Sequence, residues 1–182
     1  MGNFLEVPIT TKETDVGDDT SQTNTHDSAH TPCAHAHPNT NLTYAVSAMQ
    51  GWRAQMEDDH LHVLGYANQP DLALFGVFDG HGGDMVAHYT AKHLPDHLLR
   101  AGAKSLATAD DDFVQRATRA FETGLMALDA EMLQLPAVQS GEDQSGSTSV
   151  VVLVSGRHIV CANTGDSRAV LARGGVALAL ST

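Results

Sequence analysis

The chain has 182 residues, a formal net charge of −12 and 42% hydrophobic residues, enough for the core of one ordinary domain. Aromatics make up only 5%, so that core must be built mainly from Val, Leu, Ala and Met. The acidity excludes a nucleic-acid backbone as the main partner, because binding one needs clustered Lys and Arg; its ordinary role is solubility.

Cys33 and Cys161 are the two cysteines, one in a polar stretch and one in an apolar one. That is no disulfide framework, so a reducing, intracellular compartment is expected: the cytoplasm, with the nucleus open. No apolar run approaches the length of a membrane span, and the N-terminus lacks a signal-peptide core. The start Met1-Gly2-Asn3 admits N-myristoylation, although Glu6 stands where the motif prefers Ser or Thr. Membrane contact therefore hinges on acylation of Gly2, and one acyl chain anchors weakly and reversibly. The chain is expected to be a monomer.

Residues 1–41 read as a disordered tail, rich in Thr, Asp, Ser, Asn and His. His26, His30, Cys33, His35 and His37 lie within it. Their spacing fits no zinc pattern, so they form a flexible His-rich segment with incidental metal affinity. Order is expected from Leu42. Tyr44–Met49 suits a strand that Gly51 breaks, with Arg53–Asp59 as a polar continuation. His60–Leu64 predicts a second strand, and Asn68-Gln-Pro-Asp71 a turn. Leu72–Phe78 is nearly continuous in apolar residues, as a buried sheet member should be.

After Gly82-Gly83 the spacing becomes helical. Met85, Val86, Tyr89, His93, Leu94 and Leu98 recur at three and four, with Asp84 placed as N-cap and Pro95 expected to divide the helix. His88, His93 and His97 are expected on a solvated face. A second helix is predicted from about Asp111 to Gln134, capped by Asp110 or Asp111. Phe113, Ala117, Ala120, Phe121, Leu125, Leu128 and Met132 form its apolar stripe, and Pro136 ends it. A polar loop, Gln139–Ser145, precedes four strand signals: Thr148–Val154, His158–Asn163, Ser167–Ala172 and Val176–Leu180. With turns at Ser155-Gly-Arg157, Gly165-Asp166 and Gly174-Gly175, they predict an antiparallel meander. Strands, two helices and more strands indicate an α+β class, a layered sheet-and-helix fold.

Two acidic groups carry chemistry. Asp79-Gly-His-Gly-Gly83 follows directly on the apolar strand, where an acid at a strand's end can present oxygen to a metal and the glycines admit close backbone approach. Glu57-Asp-Asp-His60 follows Gly51-Trp-Arg53. Taken singly, the acidic run is an ordinary solvated turn, the Asp-Gly a turn and Arg53 a surface cation. Together they offer hard oxygens for Mg²⁺ or Mn²⁺, which lower the pKa of bound water. They also offer a guanidinium that can grip two phosphate oxygens and an imidazole that can protonate a departing alkoxide.

Tyr44-Ala-Val-Ser-Ala-Met-Gln-Gly-Trp-Arg-Ala-Gln-Met-Glu-Asp-Asp-His60 resembles the first motif of the metal-dependent protein phosphatases of type 2C, the PPM family. Val77-Phe-Asp-Gly-His-Gly-Gly83 resembles the second, Ser145-Gly-Ser-Thr148 before a Val-rich strand the third, and Ala162-Asn-Thr-Gly-Asp-Ser-Arg-Ala-Val-Leu171 the fourth. The resemblance runs from about residue 42 to 182. It implies an antiparallel β-sandwich of two sheets flanked by helices, and hydrolysis of phosphoserine and phosphothreonine in proteins with two Mn²⁺ or Mg²⁺ ions. It also implies roles. Asp79 would bridge the two metals, and the Gly80 carbonyl and Glu57 would serve one of them. Asp58 would hold metal-bound water and Asp166 a weaker third ion, unless it is a turn carboxylate. Arg53 would bind phosphate and His81 act as general acid.

The family completes its second metal with two aspartates, from an Asp-Gly-Leu-Trp-Asp-like segment and a later Asp-Asn one; neither occurs in these 182 residues. The expectation is that residues 42–182 are the N-terminal portion of a truncated phosphatase domain, an incomplete sandwich with little activity alone. The alternative is a non-catalytic module of phosphatase descent that binds phosphoproteins through Arg53.

Overall fold

The computed structural model describes residues 4–17, 42–103, 106 and 112–182. It divides into two compact units, residues 1–56 and 57–182.

The first unit is made of paired strands. β1 (Phe4–Ile9) pairs antiparallel with β4 (Gly51–Arg53), and β2 (Glu13–Gly17) with β3 (Tyr44–Ala48), from Glu13↔Ala48 to Gly17↔Tyr44. Two stretches expected within a disordered tail are therefore strands. Leu5, Val7 and Ile9 alternate, but the run is short and interrupted by Pro8. Its partners lie some forty residues away, and such a pairing leaves no local trace. The histidines from His26 to His37, with Cys33, lie outside the described residues.

The second unit is organised on a four-stranded antiparallel sheet ordered β10-β9-β6-β5. Its strands are β5 (Asp59–Leu64), β6 (Ala73–Phe78), β9 (Ser149–Val154) and β10 (Ile159–Thr164). The registers Leu61↔Gly76, Gly76↔Val151 and Val151↔Ala162 turn alternate residues to one face. Leu61, Leu74, Phe78, Val151 and Leu153 are buried on it. Against that face pack α1 (Met85–Arg100) and α2 (Phe113–Met132), which also pack on each other. The α2 stripe is as expected, with Phe113, Ala117, Ala120, Phe121 and Leu128 buried and Leu125 and Met132 partly so. The α+β class with antiparallel sheets and helices holds. No helix among the described residues is long and apolar enough to cross a membrane.

Four details differ from expectation. First, α1 runs unbroken through Pro95. Leu94, His97 and Leu98 are buried on either side of it, and that packing outweighs the ~3 kcal/mol a helix-interior proline costs. The buried Tyr66 hydroxyl donates to the Pro95 carbonyl at 2.7 Å. Burial, with a smaller contribution from Asp96, pushes that phenol's pKa up. Second, Asp112 takes the N-cap position of α2, without a side-chain cap bond; Asp110 and Asp111 lie outside the described residues. Pro136 does not end α2 but opens α3 (Pro136–Gln139).

Third, the meander stops at β10. β11 (Val170–Arg173) pairs only with β12 (Val176–Ala179), as a separate hairpin. Val170, Val176 and Leu178 are exposed on it. Fourth, the three α1 histidines do not form a solvated face. His88 Nδ1 lies 2.7 Å from Asp59 Oδ2 on β5. His93 stacks on Tyr89, ring centroids 4.1 Å apart. His97 is buried, its Nε2 3.3 Å from Glu131 Oε2 of α2. The Asp59 partner of His88 and the Glu131 partner of His97 come from other elements, which local sequence does not reveal.

Glu131 also accepts the Tyr89 hydroxyl at 2.7 Å, so one carboxylate ties α2 to two turns of α1. That bond, with His97, holds the Glu131 pKa below its ordinary 4.5; the same bond, with burial, raises that of Tyr89 above 10.0. A depressed acid stabilises the fold above its unfolded pKa and loses that contribution as pH falls through the folded value. A raised phenol contributes below 10.0 and loses it as pH rises further. The melting-temperature difference between wild type and Glu131→Gln should therefore stay level at neutral pH and shrink as the pH is lowered below 4.5. A difference that grows in acid would contradict this.

Gly124 sets how closely the helices approach. A Cβ there would lie 2.8 Å from Leu98 Cδ2 and 3.3 Å from its Cα. Gly124→Ala gains about 1 kcal/mol of helix propensity but overpacks at a cost of about 1–3 kcal/mol. Its urea midpoint should fall, whereas Met126→Ala, on the exposed face of α2, should stay within about 0.5 kcal/mol of wild type.

Candidate metal and phosphate site

β6 is the interior strand from which the site emerges. It is paired on both sides, Phe78 with Asp59 of β5 and Val77 with Val150 of β9. The β5–β6 ladder ends at Asp59↔Phe78; carried on past that end, the same register would place Asp58 against Asp79 and Glu57 against Gly80. The approach at the second pair is close. A Cβ on Gly80 would collide with the Glu57 carbonyl oxygen and press on Ala87 at 3.2 Å. Gly80 is therefore glycine for space rather than for an unusual backbone angle.

The chain leaving β6 is held on its other side by Ser145–Thr148. Thr148 N–H donates to the Asp79 carbonyl at 2.9 Å, and Asp79 N–H donates to Thr148 Oγ1 at 3.2 Å. Gly80 and His81 then form β7 (Gly80–His81), paired with β8 (Gly146–Ser147) as Gly80↔Ser147 and His81↔Gly146. Both backbone groups of Asp79 are thus taken by one residue, which aims its exposed side chain. The Thr148 hydroxyl also lies 2.7 Å from Ser167 Oγ. A Cβ on Gly165, whose φ is +95°, would sit 2.8 Å from Thr148 Cβ. The turn bearing Asp166 is therefore packed on the residue that holds Asp79. Asp166 itself is exposed.

The entry to α1 completes the frame. Glu57 Oε1 accepts the Gly83 N–H at 2.8 Å, and Ser145 Oγ accepts the Val86 N–H at 3.2 Å. A carboxylate here satisfies backbone donors and faces the positive end of the helix dipole. Asp84 takes the N-cap position but makes no side-chain cap bond; its Oδ2 lies 3.5 Å from His88 Nε2. Glu57 and Ser145 do that work from elsewhere in the chain.

Glu57, Asp58, Asp79, Gly80 and His81 thus meet at one end of the sheet, with Asp166 tied in through Ser167 and Thr148. Arg53 belongs to the first unit, where it ends β4 opposite Phe4 and its carbonyl accepts from Gln50 Nε2 at 2.8 Å. Sequence reasoning assigned no separate role to Ser145, Gly146, Thr148 or Ser167. All four lie in the motifs, but they act by hydroxyl hydrogen bonds and, at Gly146, by the absence of a side chain.

The donors fit Mg²⁺ or Mn²⁺ in kind, being carboxylates and a carbonyl. Among the described residues no three His, Cys, Asp or Glu side chains are grouped so as to hold a metal ion. The Gly80 carbonyl and water would have to complete any shell, which suits an ion that keeps several waters.

An antiparallel sheet covered by two helices, with Glu57, Asp58 and Asp79 near the end of an inner strand, defines an α+β domain. The family model for protein phosphatase 2C matches residues 42–182, and the chain belongs to that family. It is 38% identical over 181 residues to protein phosphatase 1B of Bos taurus and of Homo sapiens, covering 96% of this chain and 33% of each relative. Human protein phosphatase 1A is 38% identical over 133 residues, 72% of this chain and 35% of that protein. The chain thus spans about a third of the length of these curated relatives. Among solved structures, serine-threonine phosphatase 2C from Toxoplasma gondii superposes with a TM-score of 0.61 at 21% identity, over 71% of this chain and 46% of that one. A C. elegans sex determining protein gives 0.51 at 25% identity, over 66% and 29%.

Gly80→Ala should cost about 3 kcal/mol, the upper end of overpacking, because the obstacle is the Glu57 backbone and not a movable side chain. Chemical denaturation checks it; an unchanged midpoint would mean that the two strand ends do not approach as described.

Proposed function

We propose that the chain carries one side of the catalytic centre of a metal-dependent phosphatase acting on phosphoserine and phosphothreonine in proteins. The observation that carries this reading is the close approach of the Glu57 backbone to Gly80 just past the Asp59↔Phe78 end of the β5–β6 ladder, with Asp79 before Gly80 and His81 after it. Family membership supports the substrate class.

Asp79, the Gly80 carbonyl, Glu57 and, through water, Asp58 would hold Mg²⁺ or Mn²⁺, with Asp166 serving a weaker ion. The metals supply Lewis-acid polarisation of the phosphoryl group and a water of lowered pKa. Arg53 carries the guanidinium that the family resemblance assigns to two phosphate oxygens. His81 gives a ring proton to the ester oxygen as its bond to phosphorus breaks, so that a neutral serine hydroxyl leaves. The partners are phosphorylated proteins and not nucleic acid. The protein acts as a monomer inside the cell, in the cytoplasm or nucleus, with membrane contact only where Gly2 is acylated.

These 182 residues lack the two further aspartate motifs, so their own hydrolysis should be slow. With Mn²⁺ and a phosphoserine peptide, Asp79→Asn should remove that slow turnover by about 10²-fold or more, and titration calorimetry should show weaker Mn²⁺ binding. Turnover and Mn²⁺ affinity that both survive Asp79→Asn would overturn the proposal.

A further inference from the structure

Gly146 sits where the backbone does not require glycine. Its φ is not among the positive values found at Gly82, Gly83 and Gly165. The three heavy atoms nearest to a Cβ built on it are all in the His81 ring: Nε2 at 2.5 Å, Cε1 at 2.9 Å and Cδ2 at 3.4 Å. An alanine would suit the local chain but would occupy the space of the imidazole. The strand under the ring is anchored on both sides. Ser145 is tied to the α1 entry through the Val86 N–H, and to Asp143 by a 2.6 Å hydroxyl bond. Thr148 is tied to both backbone groups of Asp79. The bed cannot move aside, so a side chain at 146 must move the ring.

We propose that Gly146 is a positioning residue for His81: the missing side chain seats the imidazole where it can protonate the leaving oxygen. The inference rests on the phosphatase reading for its consequence, but not for its geometry. In the step concerned, water forms the new bond to phosphorus and the ester P–O bond breaks. The ring N–H proton passes to the departing serine oxygen, yielding an alcohol and inorganic phosphate.

The substrate's leaving group distinguishes positioning from mere structure. A serine alkoxide needs the proton; a nitrophenolate leaves without it. With Mn²⁺, Gly146→Ala should lower kcat on a phosphoserine peptide by about 10²-fold, leave KM unchanged, and lower p-nitrophenyl phosphate hydrolysis less than about threefold. His81→Ala should show the same selectivity, and the double variant should be no worse than His81→Ala alone. Equal losses on both substrates, or additive losses in the double variant, would overturn the proposal.

A second measurement needs no turnover. In the metal-free wild-type chain, His81 ring protons should show nuclear Overhauser contacts to the Gly146 Hα protons, and Gly146→Ala should abolish the original contact pattern. Their absence in wild type would overturn the proposal even if Gly146→Ala fails to fold. If wild type hydrolyses neither substrate, as one side of a metal centre alone would allow, the Overhauser contacts alone decide the positioning.

Discussion

Everything at the candidate site depends on the way β6 is held on both sides. An interior strand has its backbone groups taken by two neighbours, so its direction and register are set along its whole length. Here the clamp continues past the strand's end. Glu57 and Gly80 meet too closely for a side chain, while Thr148 takes both backbone groups of Asp79. The acidic residue therefore emerges from a rigid support, and its carboxylate can face solvent without the chain around it becoming loose.

The same frame links distant motifs. The segment Ser145–Thr148 touches α1 through Ser145, His81 through Gly146 and Asp79 through Thr148. Ser167 then reaches the Thr148 hydroxyl from the turn after β10. None of these groups is an acid, a base or a nucleophile in the usual sense. Small residues and hydroxyls are what such a support requires; at Gly146 a side chain would fill the space of the His81 ring.

On the far side of the sheet's end, helix packing fastens the frame. α1 is closed onto β5 through His88 and Asp59, and onto α2 through Tyr89, His97 and Glu131. Gly124 lets the two helices approach closely, and Pro95 is tolerated because the residues around it are buried. The start of α1, where Gly83 and Val86 donate, is thereby held against Glu57 and Ser145. Helix packing and site geometry are two ends of one rigid element.

Residue order alone determined the class of fold, because periodicity is local. The apolar run ending at Phe78, the stripe from Phe113 to Met132 and the Val-rich strand after Thr148 each declare their type within a few residues. It also supplied the chemistry-bearing residues, since oxygen donors, a guanidinium and an imidazole are recognisable by type. What it could not supply was partnership. The pairing of Phe4–Ile9 with Gly51–Arg53 and the carboxylate partners of His88 and His97 join residues far apart in the chain. The Asp79-Gly-His81 motif shows the division most clearly. Its residue types offer an oxygen donor and a ring proton, but only the tertiary structure decided that Thr148 holds the Asp79 backbone and that Gly146 makes room for the ring, because close approach is a property of space and not of sequence neighbours.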